Sequence, residues 1–396
     1  MKILLITDHH SSQGGGAEKQ FFALKELLKN QPDITVWSLG FGPQAASGDD
    51  FIVLKETRSK ALRQLWRMLV HPVKYLQLRH WIKKINPDLI HLHNIKKYTP
   101  ALLKAVQGRP TIQTVHDFSP ICPTQWNVHK NLVPCKTGFS LRCFWQHRRE
   151  YHLISYLALV FSFLRMRKLL KKSVSHFIAP SPFLMEYLQK NHFQNVTSLF
   201  PFHSKKTTAA KKEPQPGHFL YLGQLEKQKG IHILLQEFHR ALQQNNRLRL
   251  TIAGSGSQKN NLKEKIKQWH LEDNVCLIDW CNNPAELYEQ CCAVIFPSIG
   301  LESFGLVITE AMAHARPVIG SHRGPTQWLI EHEKTGLLFD PQQEGDLAAM
   351  MLKLSSPNVS KMLGDNAWKK INEFPENAAL LKELLGIYRS FMLDPT

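Results

Sequence analysis

The sequence predicts an α/β protein made of two doubly wound domains. Short apolar runs typical of buried strands alternate with longer stretches of helical period, and they do so in two series. The second series begins after residue 215, and a polar, Pro-containing segment, HSKKTTAAKKEPQPG, separates it from the first. Repeated alternation of strand and helix indicates parallel sheets with helices on both faces.

The two series account for most of the chain. In the first, the strand-like runs are KILLIT, LIHLHN, PTIQTVHD and SHFIAPS, and the helical periods cover Glu18–Asn30 and Leu62–Ile85. In the second, the strand-like runs are HFLYLG, LRLTIAGSG, NVCLIDW, AVIFPS, RPVIGS and GLLF, with helical stretches such as Gly230–Gln244 and Leu262–His270. In doubly wound sheets ligands bind at the carboxyl ends of the strands, so motifs at those positions are candidate sites.

Length and composition are those of a globular protein with two domains. The chain has 396 residues, of which 43% are hydrophobic and 21% are charged. The start, MKILLITDHH, has too short an apolar run for a secretion signal. The longest apolar run, Leu153–Leu164, falls short of the roughly 20 residues that a membrane-spanning helix needs. We therefore expect a cytoplasmic, soluble protein.

The charge is one-sided. Residues 1–200 hold 28 Lys and Arg against 11 Asp and Glu, which is nearly all of the net +18, and the basic residues concentrate over 55–84 and 142–172. Such a surface attracts polyanions, either anionic lipid or nucleic acid, although a solvated surface that binds nothing is equally typical. Apolar side chains interleave with the first basic stretch and favour a helix lying in a membrane interface: Leu65, Trp66, Leu69, Val73, Tyr75, Leu76 and Trp81.

Two strand-to-helix junctions have the composition of phosphate sites. DHHSSQGGGAEKQFF follows the first strand, and its Gly14, Gly15 and Gly16 would let a phosphate approach the backbone at a helix start. This is not the GxGxxG fingerprint, and a glycine triplet alone is a weak signal. YLGQLEKQKG places Lys229 at the start of a helix in the second domain, where it could neutralise a diphosphate or simply be a surface lysine.

A third junction, SIGLESFGLVITEAMAHARPVIG, combines a strand, a turn and a helix. Ser303 is the expected N-cap, which would direct the amides of Phe304, Gly305 and Leu306 at an anion. Glu302 and Glu310 lie in an otherwise apolar stretch, where a carboxylate costs free energy unless something pairs with it. Two glutamates at this spacing are common by chance, but together with the other two junctions they describe a site for a diphosphate joined to hydroxyl groups.

The ordered set of motifs resembles the retaining glycosyltransferases of family 4, which include bacterial mannosyl- and glucosyltransferases. The matching pieces are GGGAEK, TVHD, IAPSPF, LGQLEKQKG, LTIAGSG, ESFGLVITEAMA, PVIG and KTGLLF. The resemblance implies the GT-B fold, in which two Rossmann-like domains face each other across a cleft. We expect an acceptor-binding domain, a linker, a nucleotide-sugar-binding domain and a helix that packs back on the first domain, over 1–203, 204–217, 218–377 and 378–396.

The resemblance also implies roles for individual residues. Glu310 would bind the ribose of a nucleotide sugar, and Glu302 the hydroxyls of the transferred sugar. Lys229 would neutralise charge on the leaving phosphate, and His116 would lie beside the anomeric centre. The diphosphate and sugar would be held by Gly15, Gly16, Gln224, Ser303, Phe304, Gly305 and Leu306. From its position alone, His116 is better interpreted as a strand-end histidine bonded to the backbone.

Three positions depart from the family pattern. Gln224 replaces the usual Arg, so one phosphate-binding charge is missing and Lys229 carries more of that task. Gln327 replaces a Glu in the loop after PVI, and Ala315 replaces a Gly. The first departure is expected to weaken donor binding, and it leaves an inactive relative conceivable.

The cysteines raise a separate hypothesis. Cys122, Cys135 and Cys143 gather in one stretch, and His147 completes a Cys3His set with the ligand count of a structural zinc site. The spacing matches no established finger, so the stretch is more typical of unliganded thiols in an irregular loop. The other four cysteines are interpreted as reduced thiols of a cytosolic protein.

The resemblance therefore implies a retaining, metal-independent glycosyltransferase. It would move a hexose-type sugar from a UDP- or GDP-sugar to a lipid-linked or envelope glycan acceptor, with no cofactor for catalysis. An anionic membrane surface is the expected partner, which places the protein peripherally on the inner face of the membrane, and no nucleic acid is expected. The alternatives are a GT-B nucleotide-sugar epimerase, which needs no acceptor, and a non-enzymatic nucleic-acid or polyanion binder.

Overall fold

The structure is a computed structural model, and it describes residues 1–9, 15–57, 59, 66, 69–96, 98–124, 133, 135, 138–140, 143, 153–203, 214–281 and 283–393. The chain divides into two compact units. The first comprises the described residues within 1–130, 135–203 and 376–396, and the second those within 131–134 and 204–375. The expected linker, 204–217, lies outside the described residues over 204–213.

The first unit is built on an eight-stranded sheet. Its strands are β1 (Lys2–His9), β2 (Thr35–Gly42), β3 (Ala46–Ser47), β4 (Phe51–Lys55), β5 (Leu89–Leu92), β6 (Thr111–Thr114), β7 (His176–Ala179) and β8 (Val196–Ser198). They lie in the order β3-β4-β2-β1-β5-β6-β7-β8, and every neighbouring pair is parallel except β3 with β4. The direction of winding reverses between β1 and β5, which makes this pair the switch point of the sheet.

Helices cover both faces of this sheet. They are α1 (Gly16–Lys29), α2 (Pro72–Ile85), α3 (Thr99–Val106), α4 (Leu153–Ser173), α5 (Pro182–Lys190) and the C-terminal helix (Asn377–Leu393). On one face, Leu24 of α1 joins Leu5 of β1 and Leu384 of the C-terminal helix in one apolar core. On the other, α2 packs against α3 and α3 against α4. The C-terminal helix therefore completes the first unit, although it follows the second in sequence.

The second unit repeats this plan on a six-stranded sheet. Its strands are β9 (His218–Leu222), β10 (Arg249–Ala253), β11 (Val275–Ile278), β12 (Ala293–Phe296), β13 (Val318–Ser321) and β14 (Gly336–Phe339). They are all parallel, in the order β11-β10-β9-β12-β13-β14, so the switch point lies between β9 and β12. Its helices are α6 (Ile231–Gln244), α7 (Lys259–Gln268), α8 (Ala285–Gln290), α9 (Leu306–Ala313), α10 (Thr326–Leu329), α11 (Asp346–Leu354) and α12 (Pro357–Asn372).

The predicted fold class, two doubly wound α/β domains, is confirmed by these sheets, but four strands of the first unit, β2, β3, β4 and β8, were missed. Strands β2 and β4 lie in TVWSLGFG and FIVLK, which the sequence analysis did not single out. Strand β2 is buried on both faces over most of its length and includes two glycines, so it lacks the alternation that marks a half-buried strand.

The predicted helix Leu62–Ile85 is interrupted at residues 69–71, which are not helical. Residues 60–65 and 67–68 lie outside the described residues, Trp66 between them is helical, and a separate helix begins at Pro72. His71 is extended, because proline disfavours a helical conformation in the residue before it, and its imidazole accepts a hydrogen bond from the Lys74 amide. No helix in the described part of the chain is long and apolar enough to cross a bilayer.

Candidate active site

The switch point of the second unit joins two loops tightly. The loop after β9 crosses the loop after β12, and the amides of Ile299 and Gly300 both donate to the Gln228 carbonyl at 3.0 Å. Gly230 makes this approach possible. Its φ is +71°, in the left-handed region, and a Cβ added there would lie 1.9 Å from the Pro297 carbonyl oxygen. Only glycine fits this position, and the crossing brings distant motif residues together.

Lys229 and Glu302 meet at this crossing. Lys229 Nζ lies 2.6 Å from Glu302 Oε1, with side chains 21% and 19% exposed, and the Ser298 hydroxyl donates to the same carboxylate oxygen at 2.5 Å. The two motif residues thus form one charged cluster that is largely shielded from solvent. A lysine can neutralise phosphate, and a carboxylate can accept hydrogen bonds from sugar hydroxyls.

The turn after Glu302 differs from the prediction. Helix α9 begins at Leu306, its N-cap is Gly305 with φ +107°, and no side chain caps it, so the prediction of Ser303 as N-cap is wrong. The physical reason is that the turn needs a left-handed residue directly before the helix, which glycine supplies and serine does not. Ser303, Phe304 and Gly305 therefore precede the helix, and its first amides belong to Leu306 and the residue after it.

Glu310 lies in the second turn of α9 and has a partner that the sequence analysis missed. The hydroxyl of Tyr288, in α8, donates to Glu310 Oε2 at 2.8 Å. Tyr288 is buried and stacks on His314 with ring centroids 5.0 Å apart. Burial and the neighbouring Glu310 carboxylate raise the pKa of Tyr288 well above its ordinary value, so it remains a donor. The sequence did contain a signal for this pair: a tyrosine at a buried helix position needs a hydrogen-bond partner for its hydroxyl.

Gln224, directly after Gly223 at the end of β9, is exposed. Its carbonyl accepts a hydrogen bond of 2.7 Å from the buried Tyr221 hydroxyl. This bond fixes the backbone of Gln224 at the carboxyl end of β9. It therefore also fixes the point from which the Gln224 side chain extends.

In the first unit, the glycine-rich turn lies at the switch point between β1 and β5. Gly14 lies outside the described residues, Gly15 is the N-cap of α1, and Gly16 is its first residue. Glu18, in the first turn, is buried and accepts a hydrogen bond of 3.0 Å from the Asn94 side chain, which follows β5. Neither Glu18 nor Asn94 was predicted as a site residue. Their bond ties the start of α1 to the neighbouring strand.

His116 follows β6 and belongs to a cluster of three histidines. Its Nε2 lies 3.1 Å from Nδ1 of His93, and the two rings are stacked. His91 and His93 are buried, and His116 is half-buried. Burial lowers the pKa of His116 to about 4 and that of His91 to about 3, and it lowers the pKa of His93 well below its ordinary value. All three are therefore neutral at neutral pH.

A charged pair lies beside this cluster. Lys96 Nζ is 2.5 Å from Asp117 Oδ2, and the Lys96 amide donates to the Asp8 carboxylate. Burial alone would raise the pKa of Asp117, but Lys96 and a hydrogen bond from the Ser119 amide hold it below its usual value. The carboxylate therefore stays ionised next to the neutral His116.

The three described cysteines are not arranged as the hypothesised zinc site requires. Cys135 and Cys143 both direct their sulfurs to the Gly138 carbonyl oxygen, at 3.5 and 3.7 Å, and Cys122 contacts the Thr124 hydroxyl at 3.1 Å. His147 lies outside the described residues. No three His, Cys, Asp or Glu side chains are arranged to hold a metal ion in the part of the chain that the structure describes. The zinc hypothesis therefore has no structural support.

Comparison with known proteins places both units in one group of enzymes. Residues 14–198 match the model described as Glycosyltransferase Family 4, and residues 203–370 match the model described as Glycosyl transferases group 1. The crystal structure of HepE from Anabaena with UDP and glucose is similar, with a TM-score of 0.71 and 19% identity over 98% of this chain and 100% of that one. This likeness identifies the fold as GT-B.

Two curated relatives differ in coverage. The O-antigen chain mannosyltransferase C of Escherichia coli is 25% identical over 408 residues, which cover 99% of both chains. An uncharacterized glycosyltransferase of Methanocaldococcus jannaschii is 30% identical over 176 residues, 44% of this chain and only 45% of the relative. The family models match nearly the whole chain between them, and the chain belongs to the group 1 glycosyltransferases of family 4.

Proposed function

We propose that this protein transfers a hexose-type sugar from a nucleotide diphosphate sugar to a lipid-linked or envelope glycan acceptor. The observation that carries the proposal is the cluster of Lys229, Glu302 and Ser298 at the switch point of the second unit. It combines a cation for phosphate with a carboxylate for hydroxyls at the place where doubly wound sheets bind ligands. The nucleotide-sugar-binding domain is then 218–377, and 1–203 binds the acceptor.

The individual roles follow the chemistry of each group. Glu310, oriented by Tyr288, binds the ribose hydroxyls, and Glu302 binds the hydroxyls of the transferred sugar. Lys229, paired with Glu302, exchanges part of this contact for the leaving phosphate and stabilises its charge in the transition state. Because Lys229 supplies positive charge at the diphosphate, the reaction is metal-independent in this proposal. His116 binds the donor sugar near the reacting carbon.

The stereochemical outcome is retention. The departing phosphate accepts the proton of the acceptor hydroxyl, which attacks from the face that the phosphate leaves. The new glycosidic bond then has the same anomeric configuration as the bond to phosphate in the donor. The neutral state of His116 fits this scheme, because a neutral imidazole can both donate a hydrogen bond to a sugar hydroxyl and accept one from it.

The names of similar proteins support the substrate classes. The E. coli relative acts, by its name, on the O-antigen chain, and the Anabaena structure contains UDP and glucose. Both agree with a nucleotide donor and a surface glycan acceptor. UDP- and GDP-sugars are therefore the donors to try first.

The first experiment is calorimetry with a panel of UDP- and GDP-sugars. We expect one donor to bind tightly to the wild type and about 10- to 100-fold more weakly to Glu310→Gln, since a hydrogen bond to a charged group contributes about 1.5–3 kcal/mol. Glu264→Gln, an exposed position in α7, is the matched control. If no donor binds the wild type even with membrane lipid present, the proposal is wrong.

Product analysis separates the remaining alternatives. With the bound donor and a polyprenyl-diphosphate-linked glycan, NMR of the product should show the donor's anomeric configuration. Conversion of the donor to an epimer without any acceptor would instead identify a nucleotide-sugar epimerase. Salt-sensitive RNA binding without donor binding would identify a nucleic-acid binder.

An anionic membrane is the proposed partner of the first unit. In α4, Leu157, Phe161 and Leu164 lie at helical spacing and are 51%, 63% and 46% exposed, and basic residues follow them towards the end of the helix. In α2, Val73 and Leu76 are exposed on the same face as its later basic residues. Because both helices belong to one layer, their apolar and basic groups can meet a lipid surface together.

Co-sedimentation with vesicles tests this surface. At low salt, the wild type should bind phosphatidylglycerol-containing vesicles and not pure phosphatidylcholine. Replacing Leu157, Phe161 and Leu164 together by Ser should weaken binding about tenfold, while Met362→Ser, at an exposed apolar position of the second unit, should have no effect. Equal binding to both vesicle types would contradict the proposal.

A further inference from the structure

One histidine of the cluster in the first unit, His93, has no role in the proposed function. His93 is buried between other rings: its centroid lies 4.3 Å from that of His91, and the edge of Phe21 meets it at 5.3 Å. Its Nδ1 bonds His116 Nε2, but its Nε2 is buried and has no hydrogen-bond partner among the described residues. Because only one ring nitrogen of His93 is hydrogen-bonded and its surroundings are apolar, the two possible positions of its ring hydrogen differ in free energy.

The hydrogen between His93 and His116 can have two positions. If His116 Nε2 carried it, the remaining hydrogen of neutral His93 would be on Nε2, which would be a buried N–H without an acceptor. If His93 Nδ1 carries it, only a lone pair on Nε2 is left without a partner. A buried donor left unsatisfied is rarer than an unsatisfied acceptor, so the second arrangement is favoured. Neutral His116 must then carry its own hydrogen on Nδ1.

The support behind His93 comes from the end of the chain. His91 Nδ1 bonds the Tyr388 hydroxyl at 2.5 Å, and His91 Nε2 bonds the Thr114 hydroxyl at 2.8 Å. Tyr388 lies in the C-terminal helix and is completely buried, and burial raises its pKa well above its ordinary value, so it stays a phenol. Because both of its nitrogens are hydrogen-bonded, the His91 ring is fixed in place, and it packs against the ring of His93.

We infer that His93 is a positioning residue that places the hydrogen of His116 on Nδ1, so that His116 offers the donor sugar a hydrogen-bond donor. The part of this inference that concerns the sugar rests on the proposed function. The part that concerns the hydrogen does not, because it follows from the contacts of the two rings alone. The bond between Tyr388 and His91 does not involve the hydrogen that His93 and His116 share.

The position of the hydrogen can be measured without any substrate. NMR of protein labelled with 15N-histidine distinguishes protonated from bare imidazole nitrogens, and His116→Gln identifies the His116 signals. We expect the hydrogen on Nδ1 in the wild type at pH 7, and a shift towards Nε2 in His93→Phe. A wild-type His116 with its hydrogen on Nε2 overturns the inference, whether or not the protein transfers sugar.

Kinetic variants test whether the tautomer matters for transfer. The amide nitrogen of asparagine can replace His93 Nδ1, so His93→Asn should keep kcat within about threefold, whereas His93→Phe should lower kcat about 10- to 100-fold with little change in the donor KM. Tyr388→Phe is the matched control, since it removes a buried hydrogen bond of the same cluster but leaves the contact between His93 and His116. It should keep the wild-type tautomer.

The outcomes separate the inference from the proposed function. Equal losses of kcat in the Asn and Phe variants, or a Phe variant with wild-type kcat, would contradict a positioning role. If the wild type transfers no sugar, the proposed function fails, while the NMR result still decides where the hydrogen lies. Thermal unfolding of each variant identifies any loss that comes from misfolding.

Discussion

The two units share a topology but differ in the chemistry at their switch points. Strands β4-β2-β1-β5-β6-β7 of the first unit and β11-β10-β9-β12-β13-β14 of the second have the same order of connection. In the second unit, the loops at the switch point hold an ion pair, Lys229 with Glu302. In the first, the strand ends hold neutral, buried histidines, His91 and His93, beside the half-buried His116.

In the proposed function, this difference lets one fold serve two binding tasks. The charged cluster suits a phosphate and the sugar hydroxyls beside it, whose recognition depends on full charges and strong hydrogen bonds. The neutral cluster suits an uncharged sugar, because it offers directional hydrogen bonds without attracting competing ions. The scaffold supplies the location in both units, and the side chains decide the ligand.

Removal of Lys229 should have the largest effect. Lys229→Ala should lower kcat/KM about 100- to 1,000-fold, because the leaving phosphate loses its positive partner and Glu302 is left unpaired. Lys227→Ala, an exposed lysine of the same turn, should change kcat/KM less than twofold. Steady-state kinetics of both variants checks this, and equal losses would show that Lys229 acts only through the overall charge.

Gly230, where two loops of the second unit cross, should matter more for stability than Gly386 in the first unit. Gly230→Ala should destabilise the protein by about 3 kcal/mol, because its left-handed φ and the Pro297 carbonyl leave no room for a Cβ. Gly386→Ala, inside the C-terminal helix with open space around the new methyl group, should stabilise it by about 0.5–1 kcal/mol. Urea unfolding measures both, and a neutral Gly230→Ala would disprove the close crossing.

Acid should weaken the first unit before the second. A histidine with a lowered folded pKa binds more protons when unfolded, so its stabilising contribution is lost as the pH falls below about 6.5. For His91, with a pKa of about 3, the loss between pH 7 and pH 5 is about 2 kcal/mol. Urea unfolding at both pH values should show this loss. In His91→Leu, the slope of the free energy of unfolding against pH should fall by the equivalent of about one bound proton. An unchanged slope would mean that His91 is not buried as a neutral group.

The smallest effect should come from the partner of Glu310. Tyr288→Phe removes one hydrogen bond, so we expect the donor KM to rise about fivefold, which corresponds to about 1 kcal/mol, with kcat unchanged. Tyr187→Phe, whose hydroxyl bonds the Cys135 carbonyl in the first unit, serves as the control and should leave the donor KM unchanged. A rise in KM for both variants would indicate a general loss of stability.

The sequence predicted the fold well where the local pattern is strong. Apolar runs such as KILLIT and AVIFPS form β1 and β12, because strands buried on both faces need continuous apolar residues. Strand β2 escaped prediction because its glycines and serine break that pattern, and its place in the sheet comes from pairing with β1 and β4. The interruption before α2, which begins at Pro72, was readable from the proline but was not predicted.

For the candidate site, motifs supplied the reactive residues, and the structure supplied their partners. Lys229, Glu302 and Glu310 each lie in a short, recognisable stretch, and the chemistry of their side chains is independent of the fold. Their contacts with one another and with Tyr288 join positions 22 to 73 residues apart. Such contacts leave no local pattern, because they depend on which strand ends lie side by side.

The sequence by itself determined the fold class, the positive charge of the first half and the groups available for chemistry, since these depend on composition and local spacing. Only the tertiary structure decided which groups meet and which are protonated. His93 and His116 are ordinary histidines in the sequence; burial in the first unit makes them neutral, and a 3.1 Å contact joins them. Desolvation and contact arise from packing of distant segments, and the C-terminal helix contributes Tyr388 to this packing from the far end of the chain.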